Sequence, residues 1–287
     1  MSWILFAFGS AFFAGVTAIL AKIGIRGVNS NVATAIRTIV ILIFSWAIVF
    51  LVGSWRTIPD LTLRTLTFLI LSGLATGASW LCYFRALQLG DVNKVTPIDK
   101  SSTVLTILFA FLFLGEPVGV FKVIGMIAIA VGTYLMIARQ PGVTSAPPNR
   151  RWIIYAILSA VFAALTSILG KIGIQEVESN LGTAIRTGVV LVMAWLVVFV
   201  THGERELRRI DGKSWLFILL SGLMTGLSWL CYYRALQDGP ASVVAPIDKL
   251  SILVTILFSA VFLREKLSKK AAIGLVLVTA GTLVMLF

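Results

Sequence analysis

The stretch SWLCYFRALQLG at residues 79–90 returns as SWLCYYRALQDG at residues 228–239. The same separation of 149 residues joins further identical pairs along the chain, among them Lys22 with Lys171, Arg37 with Arg186, and Asp99 with Asp248. The register therefore holds without gaps, which is typical of an internal repeat. We predict a first copy over residues 1–138, a linker over 139–151 and a second copy over 152–287.

The composition indicates a membrane protein. Of the 287 residues, 59% are hydrophobic and 13% are charged, and the mean hydropathy is +1.00. A soluble domain has roughly 45–50% apolar and about 25% charged residues, so a soluble enzyme, a disordered chain and a disulfide-rich module fit poorly. The net charge of +12 comes from basic residues in short connections, where they orient helices in the lipid bilayer rather than bind nucleic acid.

Ten apolar segments are long enough to cross a hydrocarbon core of roughly 30 Å as helices. They lie near residues 3–25, 32–52, 65–89, 95–115, 119–138, 152–174, 181–201, 214–237, 244–263 and 268–287. Lipid offers the backbone no hydrogen-bond partner, so we predict an all-α membrane protein. Each copy has an odd number of spans, so the second copy must enter the membrane upside down relative to the first. The prediction is ten transmembrane helices arranged as two inverted five-helix repeats, with a binding site near the midplane.

The two copies have diverged unevenly. Residues 71–114 and 220–263 share 28 identities in 44 positions, whereas residues 119–138 and 268–287 share 5 in 20. The sequences of spans three and four in each copy are therefore under a stricter constraint than contact with lipid. Cavity lining and helix packing both explain this difference.

Ionisable side chains inside spans are costly and are functional candidates by default. The repeat supplies ten of them: Lys22, Arg37, Arg85, Asp99 and Lys100, and their copies Lys171, Arg186, Arg234, Asp248 and Lys249. The lysines at the ends of spans either snorkel to the headgroups or take part in gating. Each aspartate follows a proline by two residues, so it either offsets a helix N-terminal dipole or takes part in coupling. Arg37 and Arg186 lie about 10 Å inside their spans and need a partner or a wet cavity.

The repeated SWLCY string places aromatic rings beside these charges. Trp80, Tyr83, Trp229 and Tyr232 either line a pocket or belong to the aromatic belts at the membrane interface. Glycines recur at a four-residue spacing in the same spans: Gly73, Gly77, Gly222 and Gly226. That spacing favours close helix packing.

The strings KIGI, SN..TAIRT, SWLCY.RALQ.G and PIDK, each present twice, resemble those of EamA-type permeases of the drug/metabolite transporter superfamily. The resemblance covers essentially the whole chain. It implies a ten-helix carrier of the inner membrane in which spans one to four and six to nine surround a central cavity, while spans five and ten pack at the periphery. It also implies export of amino acids or other small metabolites, commonly by proton or substrate exchange.

One departure from the superfamily bears on the substrate. The small multidrug-resistance relatives bind cations through a Glu in their first helix, but spans one and six of this chain hold no carboxylate and carry Lys22 and Lys171 instead. With four cationic residues against one aspartate, each copy has an embedded charge of +3. Such a cavity favours anions or zwitterions.

We therefore predict a secondary transporter for a small anionic or zwitterionic, amino-acid-like metabolite, exporting by alternating access. The predicted substrate-binding residues are Arg37, Arg186, Trp80, Trp229, Tyr83, Tyr232, Arg85 and Arg234. The predicted coupling or gating residues are Asp99, Asp248, Lys100, Lys249, Lys22 and Lys171. Three alternatives stay open: proton-coupled efflux of small cations, a lipid-linked anion flippase, and a membrane scaffold that transports nothing.

Other features of the sequence concern chemistry and topology. Cys82, Cys231 and His202 form no metal or disulfide pattern, so neither a metal, a cofactor nor an enzymatic activity is predicted.

The loops on one side of the membrane carry thirteen basic residues and those on the other side carry three. This difference predicts that both termini lie outside, whereas the resemblance implies that both lie in the cytoplasm. The fused repeat is compatible with a monomer or a homodimer.

Overall fold

The computed structural model describes residues 2–25, 28–89, 95, 98–99, 101–137, 151–203, 207, 210–262 and 269–287. Every regular element in these ranges is helical. A 3-10 helix spans Ser54–Asp60, and the α-helices are α1 (Ser2–Gly24), α2 (Ser30–Val52), α3 (Leu63–Leu89), α4 (Ser102–Leu114), α5 (Val120–Ile137), α6 (Arg151–Gly173), α7 (Ser179–Val200), α8 (Gly212–Asp238), α9 (Ala241–Lys249), α10 (Ser251–Phe262) and α11 (Lys269–Val284).

Seven described segments are long and apolar enough to cross a membrane: Ser2–Ala21, Ser30–Val52, Leu63–Tyr83, Arg151–Gly173, Ser179–Val200, Gly212–Asp238 and Ala241–Phe258. The spans predicted at 95–115, 119–138 and 268–287 correspond to shorter helices, of 13 residues in α4, 18 in α5 and 16 in α11. The chain is thus an all-α membrane protein. Eleven α-helices stand in the described ranges where ten were predicted.

The extra helix arises because the predicted span 244–263 is divided into α9 and α10. Pro240 is the N-cap of α9, and Pro246 lies inside it, where its ring removes one backbone donor. The amide of Leu250 donates to the carbonyl of Ile247 at 2.9 Å, and Leu253 donates to Leu250 at 2.8 Å. These short-range bonds end one helix and start the next, and the break falls directly after Asp248 and Lys249.

The helices pack in pairs that follow the repeat. Helix α1 packs on α8 and α6 packs on α3, and a shift of 149 residues converts the first pair into the second. Helix α2 packs on its own copy α7, and α5 packs on its own copy α11. The contacts between the two halves are therefore related by an approximate two-fold exchange.

The four repeated glycines lie where helices touch. A Cβ added at Gly77 would lie 2.4 Å from the Cβ of Met193, and one at Gly226 would lie 2.8 Å from the Cδ1 of Phe44. Met193 and Phe44 are themselves copies, on α7 and α2. The structure confirms the predicted packing role: the absence of a side chain lets α3 approach α7 and lets α8 approach α2.

Candidate functional site

A cavity of about 400 Å³ lies between the two halves. Much of its wall consists of residues with their own copies opposite them. Its lining comprises Ala14, Thr17, Arg37, Thr76, Ser79, Trp80, Ala163, Thr166, Ser167, Arg186, Thr225, Ser228, Trp229, Tyr232, Tyr233, Asp248 and Lys249. Three cationic side chains and one carboxylate are in this lining, so its formal charge favours anionic or zwitterionic ligands.

The cavity arginines occupy equivalent places in their helices. Asn29 caps α2 by accepting from the amide of Asn31, and Glu178 caps α7 by accepting from the amides of Asn180 and Leu181. These caps fix the first turn of each helix. Each arginine then lies seven residues after the first helical residue, about 10 Å along the axis.

Arg186 is held by the first half of the chain. Its Nε donates to Ser72 at 2.9 Å, and its Nη2 donates to Thr76 at 2.6 Å. Its guanidinium also lies over the rings of Trp229 and Tyr233, at 5.2 and 4.8 Å from their centroids. Only 2% of the residue is exposed, and its Nη1 has no hydrogen-bond partner among the described residues. A buried cation with a free donor is a place where an anionic ligand gains most.

Arg37 repeats this arrangement from the other side. Its Nη2 donates to Thr225 at 2.7 Å, and Thr225 is the copy of Thr76. Its Nε is buried and has no hydrogen-bond partner in the described part of the chain. Each arginine therefore reaches across to hydroxyl groups of the opposite half, and one buried nitrogen of each guanidinium has no hydrogen-bond partner among the described residues.

The two aspartates also bond across the halves. Asp248 accepts from the hydroxyl of Ser10 at 2.6 Å, and Asp99 accepts from the hydroxyl of Ser159, the copy of Ser10, at 2.8 Å. A second serine fixes each of these serines: Ser228 donates to the carbonyl of Ser10 at 3.1 Å, and Ser79 donates to that of Ser159 at 3.0 Å. Asp248 is in the cavity lining given above, and Asp99 is not.

The capping role considered for Asp248 is wrong. Helix α9 begins at Ala241, seven residues earlier, so Asp248 lies in the last turn rather than the first. The carboxylate of Glu116 caps this helix instead, accepting from the amides of Ala241 at 2.6 Å and Ser242 at 3.0 Å. A carboxylate near a helix C-terminus is unfavourable, so the position of Asp248 has to be explained by its bond with Ser10 and its place in the cavity lining.

Lys171 contacts the same carboxylate, that of Glu116, which caps α9. Its Nζ donates to the carbonyl of Gly239 and lies 3.7 Å from a carboxylate oxygen of Glu116. The contact joins α6 to the start of α9 and to the turn after α4. The side chain of Lys22 and the whole of Lys100 lie outside the described residues.

The predicted aromatic residues separate into two groups. Trp80, Trp229 and Tyr232 line the cavity, whereas Tyr83 is not in the lining given above. The hydroxyl of Tyr232 lies 2.9 Å from that of Ser167. Sequence reasoning missed Tyr233, because its copy is Phe84 and the comparison of copies favoured identical pairs.

Arg85 and Arg234 do not join the other arginines in the cavity lining. Arg85 is exposed at the end of α3. The Nε of Arg234 lies 3.3 Å from a carboxylate oxygen of Asp238, one turn later on α8, with 42% and 36% of the two side chains exposed. Neither arginine is in the lining of the central cavity given above, although a fully buried alanine, Ala86 or Ala235, follows each of them directly.

Comparison with known proteins identifies the type of chain. The EamA-like transporter family matches residues 1–138 and 150–287. A Sinorhizobium sp. protein named an uncharacterized transporter in the cobO 3′ region is 50% identical over 135 residues, 47% of this chain and 96% of its own. The uncharacterized transporter YxxF of Bacillus subtilis (strain 168) is 24% identical over 204 residues, 71% of this chain and 64% of its own. A crystal structure superposes with a TM-score of 0.79 at 20% identity, covering 99% of this chain and 96% of the other, and so shares the fold.

Proposed function

The chain belongs to the EamA-like transporter family, and we propose that it is a secondary carrier for a small anionic or zwitterionic, amino-acid-like metabolite. The carrier works in the inner membrane in the direction of export. It acts as a monomer or a homodimer.

The observation that carries this proposal is the pair of cavity arginines, one from each half. Each keeps a buried N–H with no partner among the described residues, Nη1 in Arg186 and Nε in Arg37. Guanidinium groups form strong, charge-assisted hydrogen bonds with carboxylates, and burial strengthens such bonds. Both arginines line the cavity, so we expect an anionic group bound there to pair with these donors, while Asp248 offers a counter-charge for an ammonium group of a zwitterion.

The repeat supports alternating access. We infer that the two halves are inverted five-span repeats, since each predicted half has an odd number of spans and the packing pairs exchange under the repeat. The arginine–threonine and aspartate–serine bonds join one half to the other. Rocking of one half against the other breaks and remakes these bonds around a fixed substrate site.

Proton coupling is assigned to Asp99 and Asp248. They are the carboxylates that repeat within the predicted spans, and each is held by a serine of the opposite half. Protonation of an aspartate weakens its bond with that serine, because the acceptor loses its charge. The proton thereby biases which pair of helices separates.

The first test is thermal unfolding of the purified protein in detergent with amino acids, organic acids, phosphorylated metabolites and guanidinium-type cations. Binding to the native state raises the apparent melting temperature. We expect stabilisation by an anion or zwitterion that disappears in Arg37→Ala and Arg186→Ala. The matched controls are Arg85→Ala and Arg234→Ala, which remove arginines outside the cavity lining and should keep the response.

The alternatives give different results. Stabilisation by cations alone would overturn the charge argument and favour cation efflux with Asp248 as the binding carboxylate. Stabilisation confined to phosphorylated amphiphiles would favour an anion flippase. A panel with no response, in which the cavity variants lower only the melting temperature, would favour a scaffold.

A further inference from the structure

A second cavity, which we call the annex, adjoins the central one. It has a volume of about 250 Å³. Its lining includes Ala14, Ile129, Lys249, Ile252, Thr255 and Val278. Ala14 and Lys249 line both cavities, so the two spaces meet at these side chains.

The annex lies between the two halves, as the central cavity does. Thr103 and Ile252 are copies of each other on α4 and α10, and Ile129 and Val278 are copies on α5 and α11. Helices α5 and α11 therefore form part of a cavity wall. The lining of the central cavity given above contains no residue of these two helices.

Helices α5 and α11 pack closely against each other beside the annex. A Cβ added at Gly132 would lie 2.6 Å from the carbonyl oxygen of Gly274 and 2.9 Å from the Cγ2 of Val278. The backbones of α5 and α11 thus touch directly behind an annex residue.

The chemistry of the annex suits an apolar group. Ile129 and Val278 are 2% and 4% exposed. The hydroxyl of Thr255 donates to the carbonyl of Ser251 at 3.0 Å, within its own helix, so it does not require a polar ligand. Lys249 is the one charged residue among the described lining and stands at the junction with the central cavity.

We propose that the annex binds the apolar side group of the transported solute while the central arginines hold its anionic group. This inference rests on the proposed function and adds a substrate class: small acids or amino acids with an aliphatic group of several carbons. The solute lies across the junction, with its charge beside Arg37 and Arg186 and its carbon chain past Ala14. Apolar transfer stabilises the complex in proportion to the carbon surface removed from water.

The test uses two series of probes that differ only in chain length. One series runs from alanine through norvaline to norleucine, and the other runs from propionate to hexanoate. Affinities come from the concentration dependence of thermal stabilisation of the full chain. We expect about fourfold tighter binding for each added methylene until the annex is full.

Two variants test whether the carbon chain of the probe binds in the annex or elsewhere. Ile252→Phe fills the annex and should abolish the gain with chain length while alanine binding is kept. Leu257→Phe, on the same helix but 64% exposed, is its control and should leave the gain intact. Ile129→Ala enlarges the annex and should move the optimum to a longer chain, while Ile127→Ala on the exposed face of α5 should not. The probes are ranked by affinity within each variant, so a lower stability of the variant itself does not obscure the result.

The outcomes separate the annex from the carrier itself. A chain-length gain that Ile252→Phe removes supports the annex. A gain that both annex variants leave unchanged, or equal affinity along both series, overturns the annex even where an anion or zwitterion of the general panel binds. No binding by any anion or zwitterion overturns the carrier, and the annex with it.

Discussion

Asp248 accepts a hydrogen bond of 2.6 Å from Ser10, a residue 238 positions away in the other half of the chain. The copies of these residues, Asp99 and Ser159, make the same bond at 2.8 Å. The same kind of contact therefore occurs twice, with the two halves exchanged. In each case the aspartate bonds its own half to the first helix of the other half. Separation of the two halves at either place therefore breaks one aspartate–serine bond.

Replacing both aspartates by asparagine should separate coupling from binding. The amide oxygen of asparagine still accepts from Ser10 or Ser159 but cannot take up a proton. We expect the Asp99→Asn, Asp248→Asn protein to lose uptake driven by a pH gradient in liposomes, while substrate exchange at equal pH continues. Retained pH-driven uptake in the double variant would remove the aspartates from the mechanism.

Loss of the Ser10 hydroxyl should destabilise the contact between the halves. A hydrogen bond to a charged acceptor contributes about 1.5–3 kcal/mol, and we expect Ser10→Ala to cost an amount in this range. The control is Ser45→Ala, since the Ser45 hydroxyl is fully buried and has no partner among the described residues. That variant should be neutral or slightly stabilising. Thermal unfolding of the two proteins side by side checks the difference, and equal melting temperatures would contradict it.

We expect that lysine at position 186 cannot take over the role of Arg186 in ligand binding. The guanidinium donates to Ser72 and Thr76 from two different nitrogens and still presents a third, a geometry that a single ammonium cannot reproduce. We expect Arg186→Lys to weaken ligand binding at least tenfold, about 1.4 kcal/mol, although the charge is kept. Titration of thermal stabilisation measures this. Binding equal to that of the unaltered protein would show that charge alone is recognised.

The sequence alone located the two arginines, because the repeat made each one visible twice and their depth in apolar spans made burial costly. It also identified the glycine contacts, since glycine at a four-residue spacing has few other uses in a span. Three features escaped it: Tyr233, the position of Asp248 within its helix, and the contacts of Glu116. Tyr233 has the copy Phe84, so the repeat gave no signal for it.

The other two features depend on tertiary structure. Asp248 was open to a capping role because it follows Pro246, but Pro240 precedes the first residue of the helix and the following turns accommodate Pro246 inside it. The capping role of Glu116, in a short turn after α4, was not predicted, because its partners lie 125 and 126 residues away in the other half. A contact at that separation leaves no local pattern in the sequence.

The contact between Glu116 and Lys171 yields the last prediction. Glu116 is 9% exposed, and its carboxylate serves both the amides that start α9 and the ammonium of Lys171. Glu116→Ala leaves two amides without an acceptor and a largely buried cation without its counter-charge, so we expect a loss of about 3–5 kcal/mol.

Two further variants and a control identify the cause. Glu116→Gln keeps an acceptor for the amides and should cost less than Glu116→Ala. Combining it with Lys171→Met removes the unpaired cation and should recover part of the loss, because an apolar side chain carries no charge to bury. The control is Glu176→Ala, since Glu176 is exposed and its change should stay within about 0.5 kcal/mol. Thermal unfolding that places Glu116→Ala level with Glu176→Ala would show that this contact contributes nothing to holding α6 against α9.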